Sequence, residues 1–227
     1  MIPAKKHLSP PEKDWVITRL DFDDLETVSR YEHTAWPASI QASRQTFLKR
    51  FEFGHFMLGI WRHEQLIGLA SWRRGWFDPT NKLAFPQTFD EFSNAPNAEP
   101  YNAVFAYNLS IRPDQRGTEM TRALIMAVID FAKQDHCHYL VGDGRCPSYN
   151  GSNTSTEHIA YSSKFKVAID HQLQLGEAPT LEDYLADPIL RFYYRMLDCT
   201  FLWTMQDFIP GDVSSGGHRV IFYKSLS

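Results

Sequence analysis

The sequence predicts a single domain of the α/β class, and three observations lead to this prediction. The chain has 227 residues, which suits one large domain or two small ones. Hydrophobic residues make up 43% of it and aromatic residues 14%, enough for a packed core. Strand-like and helix-like segments follow one another along the chain, and no linker, internal repeat or low-complexity tract divides them. We therefore predict one domain over residues 1–227, with an N-terminal tail over 1–15.

The first part of the chain predicts a strand, two helices and a hairpin. Asp23 or Asp24 is a suitable N-cap for the first helix, whose apolar residues recur at helical spacing until Trp36-Pro37 ends it. A polar turn over 62–65 separates two apolar segments, which is typical of a β-hairpin. The remaining predicted elements of this part are strands over 16–20, 56–61 and 66–72, and a second helix over 43–53.

Residues 76–101 are rich in Pro, Asn and Asp and show no clear period. A loop of this length inside a compact domain is usually functional. We therefore predict that this segment forms a flap that covers a substrate.

The clearest helix of the chain spans 119–134, because its apolar side chains fall on one face. It follows a central strand over 102–111 and a turn over 112–118. Asp187-Pro188 predicts the start of another helix, which runs to about Leu197, since an acidic N-cap followed by proline at the first helical position is a favoured pair. The other predicted elements are strands over 139–142, 201–205 and 219–223, and a helix over 157–172.

Composition excludes several classes of function. The formal net charge of −4 argues against a nucleic-acid partner, which would require a basic surface. The three cysteines form no Cys-x-x-Cys pair, and His136-Cys137-His138 has no second ligand pair, so we predict reduced thiols and no metal site. No signal peptide and no apolar run of membrane-spanning length occurs, so we expect a cytoplasmic protein without a membrane partner.

The unit that carries chemistry is a strand, the turn Arg112-Pro113-Asp114-Gln115-Arg116-Gly117, and an amphipathic helix. A helix start presents unpaired backbone N–H groups and the positive end of the helix dipole, so it can receive a diphosphate without many basic side chains. Arg112, Arg116 and Arg122 surround this start and can add charge-assisted hydrogen bonds.

The run from Leu109 to Leu124 resembles the acyl-CoA-binding motif of GNAT acyltransferases. In that family the strand is followed by Arg/Gln-x-x-Gly-x-Gly/Ala and a helix. Arg116 stands at the Arg/Gln position, Glu119 at the first glycine and Thr121 at the Gly/Ala position. Glycine lets the backbone approach a diphosphate closely, whereas Glu119 adds bulk and a like charge, so we expect weaker CoA binding.

A second resemblance lies downstream and points to a bacterial GNAT branch. The helix run Asp187 to Tyr194, the turn Phe208-Ile209-Pro210, and Arg145-x-Pro147-x-Tyr149 are similar to segments of that branch, whereas Asp198-Cys199 stands where those relatives have Gly-Phe. The resemblance covers roughly residues 16–223 with the same element order. It implies a mixed, mostly antiparallel, twisted sheet of about seven strands, splayed near its middle and flanked by helices.

The resemblance also implies a function, namely transfer of an acyl group, most simply acetyl, from CoA to the amine of a small molecule by direct attack in a ternary complex. Tyr194, with Tyr193 as the alternative, stands where a tyrosine protonates the CoA sulfur. The co-substrate is acetyl-CoA or another acyl-CoA. The implied acyl-CoA-binding residues are Leu109, Ser110, Ile111, Arg116, Gly117, Thr118, Glu119, Met120 and Thr121.

Three alternatives stay open from the sequence. The central strand has no Asp, Glu or His, so the general base is a water chain, a flap residue or Asp143, although Asp143 and Arg145 also suit structural ion pairs. The departures at Glu119 and Thr121 also fit a CoA-binding or sensing domain without catalysis. The long segments 76–101 and 150–183 also fit a deeper pocket for a longer acyl chain. Separately, an edge strand offers a contact surface for a homodimer.

Overall fold

A computed structural model describes residues 13–116, 119–150 and 156–226, with only the backbone described for residues 156–162. The seven predicted strands and the five predicted helices all form, and two further short helices, over 89–94 and 181–185, form as well. The elements are β1 (Trp15–Arg19), α1 (Leu25–Ala35), α2 (Arg44–Glu52), β2 (Phe56–Arg62), β3 (Gln65–Gly75), α3 (Phe89–Asn94), β4 (Ala103–Ile111), α4 (Glu119–Gln134), β5 (Tyr139–Arg145), α5 (Thr156–Leu175), α6 (Leu181–Leu185), α7 (Pro188–Leu197), β6 (Thr200–Met205) and β7 (Arg219–Ser225).

The seven strands form one sheet in the order β1-β2-β3-β4-β5-β7-β6. β1 pairs antiparallel with β2, β2 with β3, β3 with β4, and β6 with β7. The predicted fold class, a mixed and mostly antiparallel sheet of seven strands with helices, is therefore confirmed.

The described residues group into two compact units. The first contains the chain up to Trp76, the segment Ser93–Leu140 and Leu226, and the second contains Phe77–Phe92 and Val141–Ser225. The prediction of a single domain over the whole chain stays a prediction.

In the first unit, the two faces of β2 and β3 bury different helices, because neighbouring strand residues point to opposite sides of a sheet. On one face α1 and α2 pack over Met57 and Leu69 in a continuous apolar cluster. On the other face Phe131 of α4 packs on the rings of Phe56 and Trp72, with ring centroids 4.5 and 5.1 Å away. α1 and α2 are thus held on one face of β2 and β3, and α4 is held on the other.

In the second unit, Asp187 fixes the start of α7. Its fully buried carboxylate accepts hydrogen bonds from the backbone N–H groups of Ile189 (2.8 Å) and Leu190 (3.2 Å), which caps the helix, and from Ser148 N–H (2.9 Å). Gly144 of β5 lies under this helix, since a Cβ there would stand 2.5 Å from Leu190 Cδ2. The predicted Asp-Pro helix start is confirmed.

The segment over 76–101 holds a few buried aromatic residues among mostly exposed ones, and its role as a flap stays a prediction. Its aromatic residues Phe77, Phe85 and Phe92 are buried. Phe85 packs on Trp203 and Phe92 on Phe208, with ring centroids 5.6 and 5.9 Å apart. The aromatic spacing follows no period because it is set by these tertiary contacts, and α3 is too short at six residues to show a helical repeat.

Candidate functional site

β4 carries a bulge in the middle of the strand. Ser71 of β3 lies opposite Asn108, whereas the next residue, Trp72, lies opposite Ala106, so Tyr107 is the extra residue. A bulge interrupts the hydrogen-bond ladder, bends the strand and increases its twist. The residues after it, Leu109 to Ile111, are the ones the sequence predicts to face the pantetheine of CoA.

Two buried side chains hold the bulge. The Tyr107 hydroxyl lies 2.9 Å from His55 Nδ1, and His55 Nε2 lies 2.8 Å from the Ala95 carbonyl oxygen. Because a carbonyl can only accept, Nε2 carries the proton and Nδ1 accepts from the tyrosine. Burial lowers the pKa of His55 to about 4, so the ring is neutral at physiological pH and this arrangement is kept.

The predicted binding strand leads directly into the turn. Leu109 is half-buried, and Ser110 and Ile111 are buried. Ser110 Oγ accepts a hydrogen bond from the Tyr31 hydroxyl at 3.2 Å, which ties α1 to the end of β4. Residues Pro113–Gln115 form a 3-10 turn before α4 begins.

Of the arginines around this turn, one is engaged by a neighbour. Arg112 forms a two-point pair with Asp114, at 3.0 and 3.1 Å, and also donates to Gln65 Oε1. Arg116 is exposed, and its Nε donates a long hydrogen bond of 3.4 Å to the Ile111 carbonyl. The predicted site residues Gly117 and Thr118 lie outside the described residues.

The start of α4 has a charge arrangement that the sequence does not reveal. Glu119 is exposed and forms an ion pair with Lys13 at 2.5 Å, so its negative charge is offset locally. Met120 is buried in the core, so only its backbone is available to a ligand. Thr121 is half-buried and Arg122 is exposed. The N–H groups in the first turn of α4 have no partner within the helix, as at every helix start.

The two tyrosines of α7 have different surroundings. Tyr194 is half-buried and stacks on Phe201, with ring centroids 6.3 Å apart. Tyr193 packs on Phe222 at 4.8 Å, and burial, together with the nearby Asp143 charge, raises the pKa of Tyr193 above its usual range. The helix ends at Asp198, whose φ of 50° is left-handed. The role predicted for Tyr194 stays a prediction.

Asp143 and Arg145 belong to a buried ion-pair network in the second unit. Arg145 donates two hydrogen bonds to Asp212, at 2.7 and 2.8 Å, and Arg219 Nη1 lies 2.8 Å from the same carboxylate. Arg219 Nε lies 3.3 Å from Asp143 Oδ2. Burial raises the pKa of Asp143 to about 7, and the two arginines hold the pKa of Asp212 well below its usual range. The structural ion pairs weighed for Asp143 and Arg145 are therefore present.

A second buried polar group, which was not among the predicted site residues, lies in the first unit. We call it the α1–β4 polar cluster; it consists of Ser29, Glu32, Ser71 and Asn108. All four are buried; the Asn108 side chain hydrogen-bonds Glu32 and the Ser71 side chain hydrogen-bonds Tyr107, whereas Ser29 Oγ and Asn108 Oδ1 have no partner among the described residues. One signal was available, because Glu32 falls on the apolar helical face of α1 between Val28 and Ala35.

Glu32 is the titratable member of the α1–β4 polar cluster. Its Oε1 accepts a hydrogen bond of 2.8 Å from the Ala42 backbone N–H. Burial raises the pKa of Glu32, against the opposing effects of the Ala42 N–H, the Arg50 charge and the Asn108 side chain. The cluster therefore holds a buried carboxyl group that both the Ala42 N–H and the Asn108 side chain contact.

Metal and membrane features are lacking in the part of the chain that the structure describes. Its His, Cys, Asp and Glu side chains form no group of three or more able to hold a metal ion. All three cysteines are free and buried. None of the described helices combines the length and the apolarity that crossing a membrane requires.

No family model and no curated protein matches the sequence. Solved structures do match. The GNAT-like decarboxylase GphF in complex with isobutyryl-CoA is 19% identical with a TM-score of 0.70, covering 93% of this chain and 99% of its own. The loading GNATL domain of CurA from Lyngbya majuscula is 15% identical with a TM-score of 0.68, covering 93% and 98%. The ribosomal-protein-S18-alanine N-acetyltransferase from Escherichia coli is 14% identical with a TM-score of 0.53, covering 94% of each chain.

These identities are low, so the likeness concerns the three-dimensional arrangement of the chain. It extends over nearly the whole of each compared protein, and those proteins include both acetyltransferases and decarboxylases. The predicted resemblance is confirmed at this level: the chain has the GNAT fold.

Proposed function

We propose that the chain is a GNAT-type acyltransferase that binds an acyl-CoA and transfers its acyl group to the amine of a small molecule. The observation that carries this proposal is the bulged β4 that leads through a short turn into the start of α4, within a GNAT fold. This arrangement supports binding of a pantetheine along the bent strand and of a diphosphate at the helix start.

The co-substrate in this proposal is acetyl-CoA or another acyl-CoA. The complex of GphF with isobutyryl-CoA supports an acyl-CoA in this fold. The pair of Lys13 with Glu119 also supports it, because the charge that replaces glycine is offset and the lysine adds a cation near the helix start. The proposed binding residues are Leu109, Ser110, Ile111, Arg116, Gly117, Thr118, Glu119, Met120 and Thr121.

The proposed reaction is direct attack. The amine nitrogen attacks the thioester carbonyl carbon, the C–N bond forms, and the C–S bond breaks. The leaving thiolate then takes a proton, and we assign its delivery to Tyr194 of α7. The hydroxyl of a half-buried tyrosine at the end of an aromatic stack suits this role, because its ring position is fixed by packing on Phe201.

Decarboxylation is a second candidate, and the likeness to GphF favours it. In that reaction a 2-carboxyacyl-CoA loses CO2 and the resulting carbanion at C2 takes up a proton, so the thioester survives. A third outcome is binding without turnover, as in a CoA sensor.

One experiment separates these functions. The purified chain is incubated with acetyl-, isobutyryl- or malonyl-CoA, with and without a panel of primary amines, and all CoA species are quantified by liquid chromatography and mass spectrometry. Amine-dependent release of free CoA together with an N-acyl product supports acyl transfer. Conversion of malonyl-CoA to acetyl-CoA without amine instead identifies a decarboxylase. Unchanged thioesters under all conditions would refute both catalytic functions.

A further inference from the structure

We propose that His55 is a positioning residue for acyl-CoA. Its hydrogen bond to Tyr107 holds the bulge of β4, and the bulge sets the direction of strand residues 109–111. This inference rests on the proposed function, which assigns the pantetheine of acyl-CoA to those residues. Because His55 is buried, it acts through Tyr107 and not by touching the ligand.

The bulge needs support from side chains. Tyr107 is the extra residue of β4, and such a residue is left out of the hydrogen-bond ladder between the strands. The pairing of β4 with β3 therefore does not fix its orientation. Tyr107 is buried, so its hydroxyl and its ring are held by contacts within the protein. These contacts decide the direction in which β4 continues after the bulge.

Tyr107 is held at its hydroxyl and over its ring. The hydroxyl lies 2.9 Å from His55 Nδ1 and is also hydrogen-bonded to the Ser71 side chain. A tyrosine hydroxyl has one proton, so it donates to His55 and accepts from Ser71. The guanidinium group of Arg50 lies over the ring, 4.6 Å from its centroid. The bulge residue is thus connected to β3, to α2 and, through His55, to the start of β2.

His55 is itself fixed by the backbone around it. Its Nε2 donates to the Ala95 carbonyl oxygen at 2.8 Å, and its backbone N–H donates to the Arg50 carbonyl oxygen at 2.9 Å. It follows Gly54, whose φ of 72° is left-handed and costs glycine little. The imidazole ring is therefore a rigid bridge between Ala95 and the hydroxyl of Tyr107.

The carbonyl that orients His55 lies between two anchored asparagines. Arg50 Nε donates to Asn94 Oδ1 at 2.8 Å. On the other side of Ala95, Asn97 Oδ1 accepts from the backbone N–H of Arg74 at 2.8 Å. Because both neighbours are tied to other elements, the Ala95 carbonyl is a fixed point. The position of the bulge is thus set from outside the β3–β4 pair.

An imidazole suits this place because one nitrogen donates while the other accepts. Glutamine also carries one donor group and one acceptor, whereas phenylalanine keeps a ring and offers neither. His55→Phe therefore removes both hydrogen bonds, and His55→Gln can keep them. A reacting group that is displaced by about 1 Å loses about 10²-fold in rate, so a bulge that shifts should affect the thioester directly.

The test measures steady-state kinetics for both substrates and the affinity for acetyl-CoA by titration calorimetry. We expect His55→Phe to lower kcat/KM for acetyl-CoA by about 10–100-fold at an unchanged KM for the amine, and His55→Gln to restore most of the loss. Thr18→Val is the matched control. It removes a buried acceptor that Trp61 Nε1 uses at 3.0 Å in the pairing of β1 with β2, and it should leave kcat/KM unchanged.

A double-mutant cycle separates positioning from general stability. Tyr107→Phe removes the same hydrogen bond from its other end, so it should cause a loss similar to that of His55→Phe. The double variant should lose no more than either single variant, because residues that share one interaction are not additive. Additive losses would contradict the inference. If His55→Phe does not fold, Tyr107→Phe carries the test, since it lacks only one oxygen atom.

The outcomes separate this inference from the function on which it rests. Turnover and acetyl-CoA affinity at the wild-type level in both His55→Phe and Tyr107→Phe would overturn the role of His55 and leave acyl transfer intact. A wild type that neither binds nor converts acetyl-CoA would overturn the proposed function. Amide hydrogen exchange of the unliganded protein then still measures the hold on β4. Exchange over residues 109–111 should be faster in His55→Phe than in Thr18→Val, and equal rates would refute the positioning.

Discussion

Replacing Asp212 by asparagine removes the carboxylate on which two buried arginines converge. The Asp212 side chain is 3% exposed and accepts from Arg145 at both oxygens, from Arg219 and from Ser214. Asparagine keeps one accepting oxygen and turns an NH2 group toward a guanidinium group. At least two charged hydrogen bonds are therefore lost, and the Arg219 charge, 2% exposed, keeps only Asp143 as a carboxylate partner.

The magnitude follows from this count. Hydrogen bonds to charged groups contribute about 1.5–3 kcal/mol each, and removing one partner of a buried ion pair costs about 3–5 kcal/mol. We therefore expect Asp212→Asn to lower the free energy of unfolding by about 3–5 kcal/mol. At about 2–4 °C per kcal/mol for a chain of this size, the midpoint of thermal unfolding should fall on the order of 10 °C.

Urea unfolding followed by circular dichroism measures this cost, with Asp114→Asn as the matched control. Asp114 forms a similar two-point pair with Arg112, but its side chain is 54% exposed. Surface pairs of this kind contribute about 0–1 kcal/mol. A loss of less than about 1 kcal/mol in both variants would refute the reasoning that burial makes the Asp212 network a major stabilising contact.

Three further predictions concern α7 and the buried carboxyl group of Asp143. Tyr194→Phe should lower kcat by about 10²–10⁴-fold at unchanged acyl-CoA affinity, and steady-state kinetics that show full activity would remove Tyr194 as the proton donor. Asp198→Gly should raise the free energy of unfolding by about 0.5–1 kcal/mol, because glycine adopts the left-handed φ of 50° without steric cost; urea titration that shows a destabilised variant would contradict this. Since the pKa of Asp143 is raised to about 7, the folded state binds the proton more tightly than the unfolded state, so this group's contribution to stability falls as pH rises from about 4 to 7. The stability of Asp143→Asn relative to wild type should therefore increase over that range, and a pH-independent difference would show that Asp143 does not titrate there.

Most of the fold could be predicted because it depends on local patterns. The helix over Glu119–Gln134 was predicted with its observed bounds, since its apolar face repeats over four turns. Asp187-Pro188 marked the start of α7 through its own hydrogen-bonding chemistry. By contrast, α3 and α6 have six and five residues, fewer than two helical turns, and carry no detectable period.

The candidate site was harder to predict because its contacts join distant parts of the chain. The Lys13–Glu119 pair spans more than a hundred positions, so the sequence presented Glu119 only as an unfavourable charge. The bulge at Tyr107 depends on the register of β4 against β3. Glu32 occupies a core position of α1, and its contact with Asn108 becomes apparent only when α1 is placed against β4.

The measurement that tests the central claim most directly is thermal unfolding with and without acyl-CoA. A ligand at about 100 times its Kd stabilises the folded state by about 2.7 kcal/mol, which corresponds to a rise of about 5–10 °C for this chain. We predict such a rise with millimolar acetyl-CoA or isobutyryl-CoA, a smaller one for Arg116→Ala, and a larger one for Glu119→Gln, which releases Lys13. An unchanged unfolding midpoint for the wild type and for Glu119→Gln would contradict acyl-CoA binding at the start of α4.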